Sequence, residues 1–126
     1  MANILIIDDD AHVREALQAV LVDEGHEISQ AASAEEARAY LAHSAATTEL
    51  ILLDIWLGED NGLNLLGEIR AGGFVKPVIV MSGGGPGRTL EQATAIADVQ
   101  GANQVLIKPF TNEEISKAIR EVLTAD

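Results

Sequence analysis

Cysteine is absent from this chain of 126 residues. Its absence excludes thiol nucleophiles, disulfides and every cysteine-ligated metal site. Long hydrophobic runs are missing too: the longest stretches of bulky or branched apolar residues, such as Ile4 to Ile7 and Leu50 to Leu53, are four residues long. A membrane-spanning helix needs about 20, so no membrane association is expected. Asp8-Asp9-Asp10 follows the first of these runs at once, against the pattern of a secretory leader, and Met1 reads as a natural start. Basic residues are scarce, 8 against 20 acidic ones, giving a net charge of -12. Affinity for a phosphate backbone rests on Lys and Arg, so nucleic acid is not an expected partner. The expectation is a soluble, cytoplasmic protein that meets cations, basic protein surfaces or apolar patches.

What the chain does have is pattern. Its length and its hydrophobic fraction of 48% suit one domain, and a domain of this size buries roughly two thirds of the surface its unfolded chain exposes. Short apolar runs alternate with stretches of helical period. Ile4 to Ile7 is followed by Val13, Leu17, Val20 and Leu21 at helix spacing. A weaker strand, His26 to Gln30, precedes Ser33-Ala34-Glu35-Glu36, a capping box that opens an alanine-rich helix reaching to about Ala45. Leu50 to Leu53 is the third strand, and the helix behind it carries Leu63, Leu66 and Ile69 before stopping at Gly72-Gly73. Val78 to Met81 is the fourth, and the glycine-rich stretch Gly83 to Gly87 leads from it to a helix near Thr89 to Gln100. Val105 to Ile107 is the fifth, and Thr111-Asn112-Glu113-Glu114 caps a last helix bearing Ile115, Ile119, Val122 and Leu123.

Unbroken apolar strands suit a parallel sheet buried on both faces, joined by right-handed crossover helices. Five such units are too few for the eight-stranded closed barrel. The predicted fold is therefore α/β, an open doubly wound sheet of five parallel strands. Ligands of such sheets bind outside the carboxyl ends of the strands, near the point where strand order reverses.

The residues just past the strands are Asp8, Asp9 and Asp10, then Asp54, then Ser82 and Gly83, and finally Lys108 and Pro109. Carboxylates crowded on one sheet edge repel one another unless a cation fills the space. Mg2+ suits them, because it takes oxygen ligands and is held by one or two carboxylates together with waters. A metal beside a carboxylate, with an ammonium and a hydroxyl opposite, is suited to phosphoryl transfer. Asp54 is then the candidate nucleophile, forming an acyl phosphate. Asp10 reads equally well as a helix N-cap, and His12, His26 and His43 lie off the strand ends, as surface or helix-face residues.

Four blocks stand out: Ile4-Leu5-Ile6-Ile7-Asp8-Asp9-Asp10, Leu52-Leu53-Asp54 with Gly62 eight residues on, Val80-Met81-Ser82-Gly83, and Gly101-Ala102 leading to Lys108-Pro109-Phe110. With them the chain resembles a response-regulator receiver domain, the CheY-like module of two-component signalling, across residues 1–126. The resemblance implies a flavodoxin-like fold and a stand-alone phosphoacceptor that signals through protein contact. Asp54 would accept a phosphoryl group from a phosphohistidine on a sensor histidine kinase or a histidine phosphotransfer protein. Asp9 and Asp54 would ligate Mg2+ directly, the backbone carbonyl of Trp56 would be a third protein ligand, and Asp8 would act through water. Ser82 and Lys108 would contact the phosphoryl oxygens, and the Lys108-Pro109 bond would be cis. Catalysis would be limited to self-phosphorylation and self-dephosphorylation, short of an enzyme in the ordinary sense. A monomer or weak dimer would pass the signal to a downstream protein target.

Three positions depart from that pattern. Receivers commonly carry an aromatic three residues before the strand-five lysine, at the place of Val105. Valine has neither ring nor hydroxyl, so the usual rotamer switch is unavailable. Any population shift must come from Ser82, from the Gly83 to Gly87 loop, or from the partner. Gly58 replaces a common proline and loosens its loop. Trp56 stands where a ring either shields an acyl phosphate or covers apolar surface.

The rival reading is a Mg2+-dependent phosphohydrolase of haloacid-dehalogenase type, with Asp8 as nucleophile and Ser82 and Lys108 in support. Against it, no acidic pair follows Lys108 at a strand end and no insertion is large enough for a substrate cap. The stretch Ser82 to Thr89 fails the nucleotide phosphate-loop pattern. Mapping the residue labelled by a small phosphodonor with Mg2+ separates the two: Asp54 in a receiver, Asp8 in the phosphohydrolase.

Overall fold

A run of apolar side chains pointing to both sides of a strand is stable only where both faces are covered. In the computed structural model, which describes residues 2–58, 60–83 and 101–124, three such runs form the centre of a sheet of five parallel strands, with two more polar strands at its edges. The five are β1 (Asn3–Ile7), β2 (Glu27–Ala31), β3 (Leu50–Asp54), β4 (Val78–Ser82) and β5 (Gln104–Ile107). The order across the sheet is β2-β1-β3-β4-β5, so the winding reverses between β1 and β3. The helices among the described residues are α1 (Ala11–Asp23), α2 (Ala34–Ser44), α3 (Gly62–Ala71) and α4 (Asn112–Thr124). None is long and apolar enough to cross a membrane. The glycine-rich stretch after Gly83 and the helix expected near Thr89 to Gln100 lie outside the described residues.

Successive strand residues point to opposite faces, and the core divides accordingly. Leu5, Ile7, Ile51, Leu53, Val78 and Val80 pack with Ala34 and Ala37 of α2 and Leu65, Leu66 and Ile69 of α3. Ile4, Ile6, Leu50, Leu52, Ile79 and Met81 pack on the other side with Leu17 and Leu21 of α1 and Ile115, Ile119 and Val122 of α4. This is the doubly wound sheet that the sequence predicts. The Thr111 capping box closes in both directions, while at Ser33 the cap forms and Glu36 Oε1 instead accepts from Ala32 N at 2.9 Å. Ser33 Oγ accepts from Glu36 N at 3.1 Å, and Thr111 and Glu114 exchange side-chain to backbone bonds at 3.0 Å each. Asp10 is the N-cap of α1, its Oδ1 accepting from His12 N at 2.9 Å.

Two local features go beyond the sequence reading. Between β3 and α3 the chain makes a small antiparallel ribbon, Trp56–Leu57 against Asp60–Asn61, with Gly58 at φ +60° in its turn. At the other end of α3, the Arg70 guanidinium donates to the carbonyls of Phe74, Lys76 and Gly101 and to Asn103 Oδ1. Asn103 Oδ1 also accepts from Val78 N at 3.0 Å. One side chain thus ties the approach to β4 to the approach to β5.

Gly62 opens α3 directly against the end of β3, its N–H donating to Ile55 O at 2.6 Å. A Cβ at this position would stand 2.2 Å from Asp54 O and 2.9 Å from Ile55 Cα. Both are backbone atoms and have no rotamer through which to move aside. Gly62→Ala should therefore cost about 2–3 kcal/mol of stability, measured by urea denaturation, and an unchanged midpoint would contradict this close approach.

Candidate functional site

The backbone ladder carries each of the predicted residues to the carboxyl edge of the sheet. Asp8 N donates to Ala31 O at 3.1 Å, Ile55 N to Met81 O at 3.0 Å, and Lys108 N to Ser82 O at 2.8 Å. Asp54 and Ser82 are the last residues of β3 and β4, so strand pairing itself fixes their backbones. Asp8, Asp9 and Asp54 each offer a carboxylate oxygen, and these oxygens lie within 4.8 Å of one another. Asp8 and Asp54 are 0% and 5% exposed, while Asp9 is open to solvent.

One ammonium faces this acidic group. Lys108 Nζ donates to Asp8 Oδ2 at 2.8 Å and lies 3.4 Å from Asp54 Oδ2. The second oxygen of Asp8 accepts from Asp10 N at 2.9 Å, and Asp54 Oδ1 accepts from Trp56 N at 3.2 Å. Ser82 Oγ is buried and has no hydrogen-bond partner among the described residues. The peptide after Lys108 is cis, as the resemblance implies.

Burial, and then the charge of Asp8, push the Asp54 carboxyl up to about 6, with Lys108 and the Trp56 amide pulling the other way. For Lys108, burial is the strongest single influence and opposes its charge. The hydrogen bond to Asp8 and the charges of Asp54 and Asp8 outweigh it and hold the ammonium above the usual lysine range. Among the described residues, three carboxylates face the one ammonium of Lys108.

The donor set suits a hard divalent ion, because it is made of oxygen alone and carries excess negative charge. Both oxygens of Asp8 are engaged, by Lys108 and by Asp10 N. Asp9 has no hydrogen-bond partner among the described residues, and Asp54 keeps the lone pairs not used by Trp56 N. The residues present therefore fit Mg2+, with Asp9 and Asp54 the better placed for direct contact. The ribbon turn lies over Asp9, since a Cβ built on Gly58 would be 3.7 Å from Asp9 Oδ2.

The other singled-out residues also have definite places. Trp56 is half-buried against the α2 and α3 side of the core. Val105 pairs with Val80 in the ladder and packs, half-buried, against the same cluster. His26 Nδ1 accepts from Ala2 N at 3.1 Å, while His12 and His43 are exposed, so the histidines stay away from the acidic group. Arg14 belongs to none of the sequence motifs yet reaches the site. Its Nη1 donates to the backbone carbonyl of Asp8 at 2.8 Å, and the available signal was its position one turn after the Asp10 cap.

Asp54 ionises less readily in the folded chain than in the unfolded one, whose carboxyl titrates near 3.8. Its contribution to stability is therefore lost as pH rises from 3.8 to about 6, and the loss is complete above that range. In the absence of divalent cations, Asp54→Asn should be more stable than the parent by about 2–3 kcal/mol at neutral pH. That advantage should vanish below the ordinary aspartate range, as read by urea denaturation across pH.

The sequence model of the response regulator receiver domain matches residues 4–120. The chain is 34% identical over 124 residues to the transcriptional regulatory protein AruR of Pseudomonas aeruginosa, covering 96% of this chain and 49% of AruR. It thus spans about half the length of that curated relative. The receiver domain of NtrX from Brucella abortus is similar in structure, with TM-score 0.85 at 32% identity, covering 98% of this chain and 99% of that one. A CheY-like receiver domain protein from Methanospirillum hungatei gives TM-score 0.87 at 28% identity, covering 98% and 94%. A sequence match over nearly the whole chain, on a fold shared end to end with solved receivers, leaves a single assignment: the chain belongs to the response regulator receiver domain family.

Proposed function

We propose that residues 1–126 act as one receiver domain in two-component signalling, with Asp54 as the phosphoacceptor. The observation that carries this reading is the contrast between the two buried carboxylates. Asp8 has both oxygens hydrogen-bonded, whereas among the described residues Asp54 Oδ2 has only the Lys108 ammonium at 3.4 Å. The carboxylate oxygen less engaged by donors is the better nucleophile, and of the two residues that is Asp54 Oδ2. The same contrast disfavours the phosphohydrolase reading, in which Asp8 would have to attack.

In the transfer, Asp54 Oδ2 forms a bond to phosphorus as the bond from phosphorus to the imidazole nitrogen of a donor phosphohistidine breaks. The imidazole leaves with the electron pair. Trp56 N holds the other Asp54 oxygen and so fixes the rotation of the carboxylate about its Cβ–Cγ bond. The Lys108 ammonium, already beside Asp54, neutralises charge on the transferring oxygens. The Ser82 hydroxyl, buried on the neighbouring strand without a partner among the described residues, gains a phosphoryl oxygen to which it donates. Mg2+, held by Asp9, Asp54 and the carbonyl of Trp56, would supply Lewis-acid charge stabilisation when bound.

The donor is a sensor histidine kinase or histidine phosphotransfer protein, and the output is contact with a downstream protein. With Val105 in place of an aromatic, that output relies on the new Ser82 bond rather than on an inward-swinging ring. The only catalysis in this reading is self-phosphorylation and self-dephosphorylation.

Incubation with acetyl phosphate and Mg2+ should add one phosphoryl group, mapped by peptide mass spectrometry to Asp54. Chelation of the metal or Asp54→Asn should abolish it, and Lys108→Ala should slow it by about 100-fold. A label on Asp8 would overturn this assignment in favour of the hydrolase. The single Trp offers a parallel check: its fluorescence should change on adding Mg2+, and a flat titration of folded protein would count against the ion site.

A further inference from the structure

Asp9 is the one carboxylate of the acidic triad without a hydrogen bond of its own among the described residues, and it is also the exposed one. Its backbone therefore decides which positions the carboxylate can reach. The peptide group is planar, so fixing the carbonyl of Asp8 also fixes the N–H and Cα of Asp9. That carbonyl receives Arg14 Nη1 at 2.8 Å. Arg14 stands in the first turns of α1, its own N–H bonded to Asp10 O at 3.1 Å. Its Nε donates to Gln30 Oε1 at 2.9 Å, and Gln30 Nε2 donates to Gln18 Oε1. The guanidinium is thus gripped from two sides, by the edge strand β2 and by the end of β1.

We propose that Arg14 is a positioning residue for the divalent cation, aiming the Asp9 carboxylate through the Asp8–Asp9 peptide, with Gln30 orienting the guanidinium. The role rests on the proposed reading of the acidic triad as an ion site. Arg14 makes no ion pair among the described residues, so its fork is spent on a neutral carbonyl and a neutral amide. A hydrogen bond from a charged donor to a carbonyl is stronger than a neutral one. Lysine is a point donor and lacks the planar fork that reaches both acceptors in fixed geometry. Partners that orient ligands from behind affect metal affinity by about 10- to 100-fold.

The test is a Mg2+ titration of the full chain, followed by Trp56 fluorescence and by calorimetry, on the parent, Arg14→Ala, Arg14→Lys and Gln30→Ala. Arg14→Ala should weaken Mg2+ binding by about tenfold, at a temperature where its far-ultraviolet circular dichroism matches the parent. Arg14→Lys should recover only part of the affinity, and Gln30→Ala should show a smaller loss in the same direction. Labelling by acetyl phosphate should show the deficit as a raised Mg2+ requirement, with the rate at saturating Mg2+ much less affected. Should Arg14→Ala fold poorly, Arg14→Lys and Gln30→Ala carry the test. Unchanged Mg2+ affinity in the folded variants would overturn the role of Arg14 while leaving the site intact. A parent protein that binds no Mg2+ would overturn the reading of the triad, and the positioning role with it.

Discussion

Placing several carboxylates and one ammonium at the dry end of a parallel sheet sets the terms for the rest of this structure. Ions resist removal from water unless they find partners, and here Asp8 and Asp54 are almost wholly buried with Lys108 as their shared counterion. The arrangement persists because the backbone leaves little alternative. Asp54 and Ser82 are held in the ladder, Asp8 and Lys108 are bonded to neighbouring strand ends, and Gly62 brings α3 against the carbonyl of Asp54. The apolar layers on both faces supply the stability that this charged edge draws upon. The raised ionisation range of Asp54 follows from the same confinement, and it leaves the pocket poised to take up positive charge.

Of the departures, Gly58 and Trp56 lie beside this edge and Val105 lies within β5. Val105 sits in the ladder beside Val80 as an ordinary half-buried strand residue, and its β-branched shape suits that place. Gly58 adopts a positive φ in the ribbon turn, where proline, confined to φ near -65°, does not fit. The substitution therefore belongs with a different loop shape rather than with simple loosening. Trp56 contributes its backbone to the Asp54 carboxylate while its side chain rests on the core.

Most of the fold was legible because its signals are local. Runs such as Ile4 to Ile7 announce buried strands, Ser33 to Glu36 and Thr111 to Glu114 announce helix starts, and the strand ends then point to Asp8, Asp9, Asp54, Ser82 and Lys108. The strands β3 and β4 run one residue beyond their apolar runs, to Asp54 and Ser82, since a polar residue resembles a loop in sequence until its ladder partner is known. The ambiguity of Asp10 was settled only by seeing its oxygen on His12 N. What stayed hidden depends on contacts across long sequence separations. Neither the bond from Arg14 to Gln30 nor the span of Arg70 to residues 101 and 103 leaves a periodic trace. The ribbon at residues 56–61 is too short for alternation to register.

Arg70 gives the sheet two unlike rims. At the amino rim, a single guanidinium staples the approaches to two adjacent strands through uncharged acceptors, a fastening indifferent to acidity across the range where carboxylates titrate. At the carboxyl rim, cohesion is a matter of ionic balance. A change in ionic state at residue 54 therefore acts on the rim held by charged contacts, while the opposite rim keeps its neutral fastening.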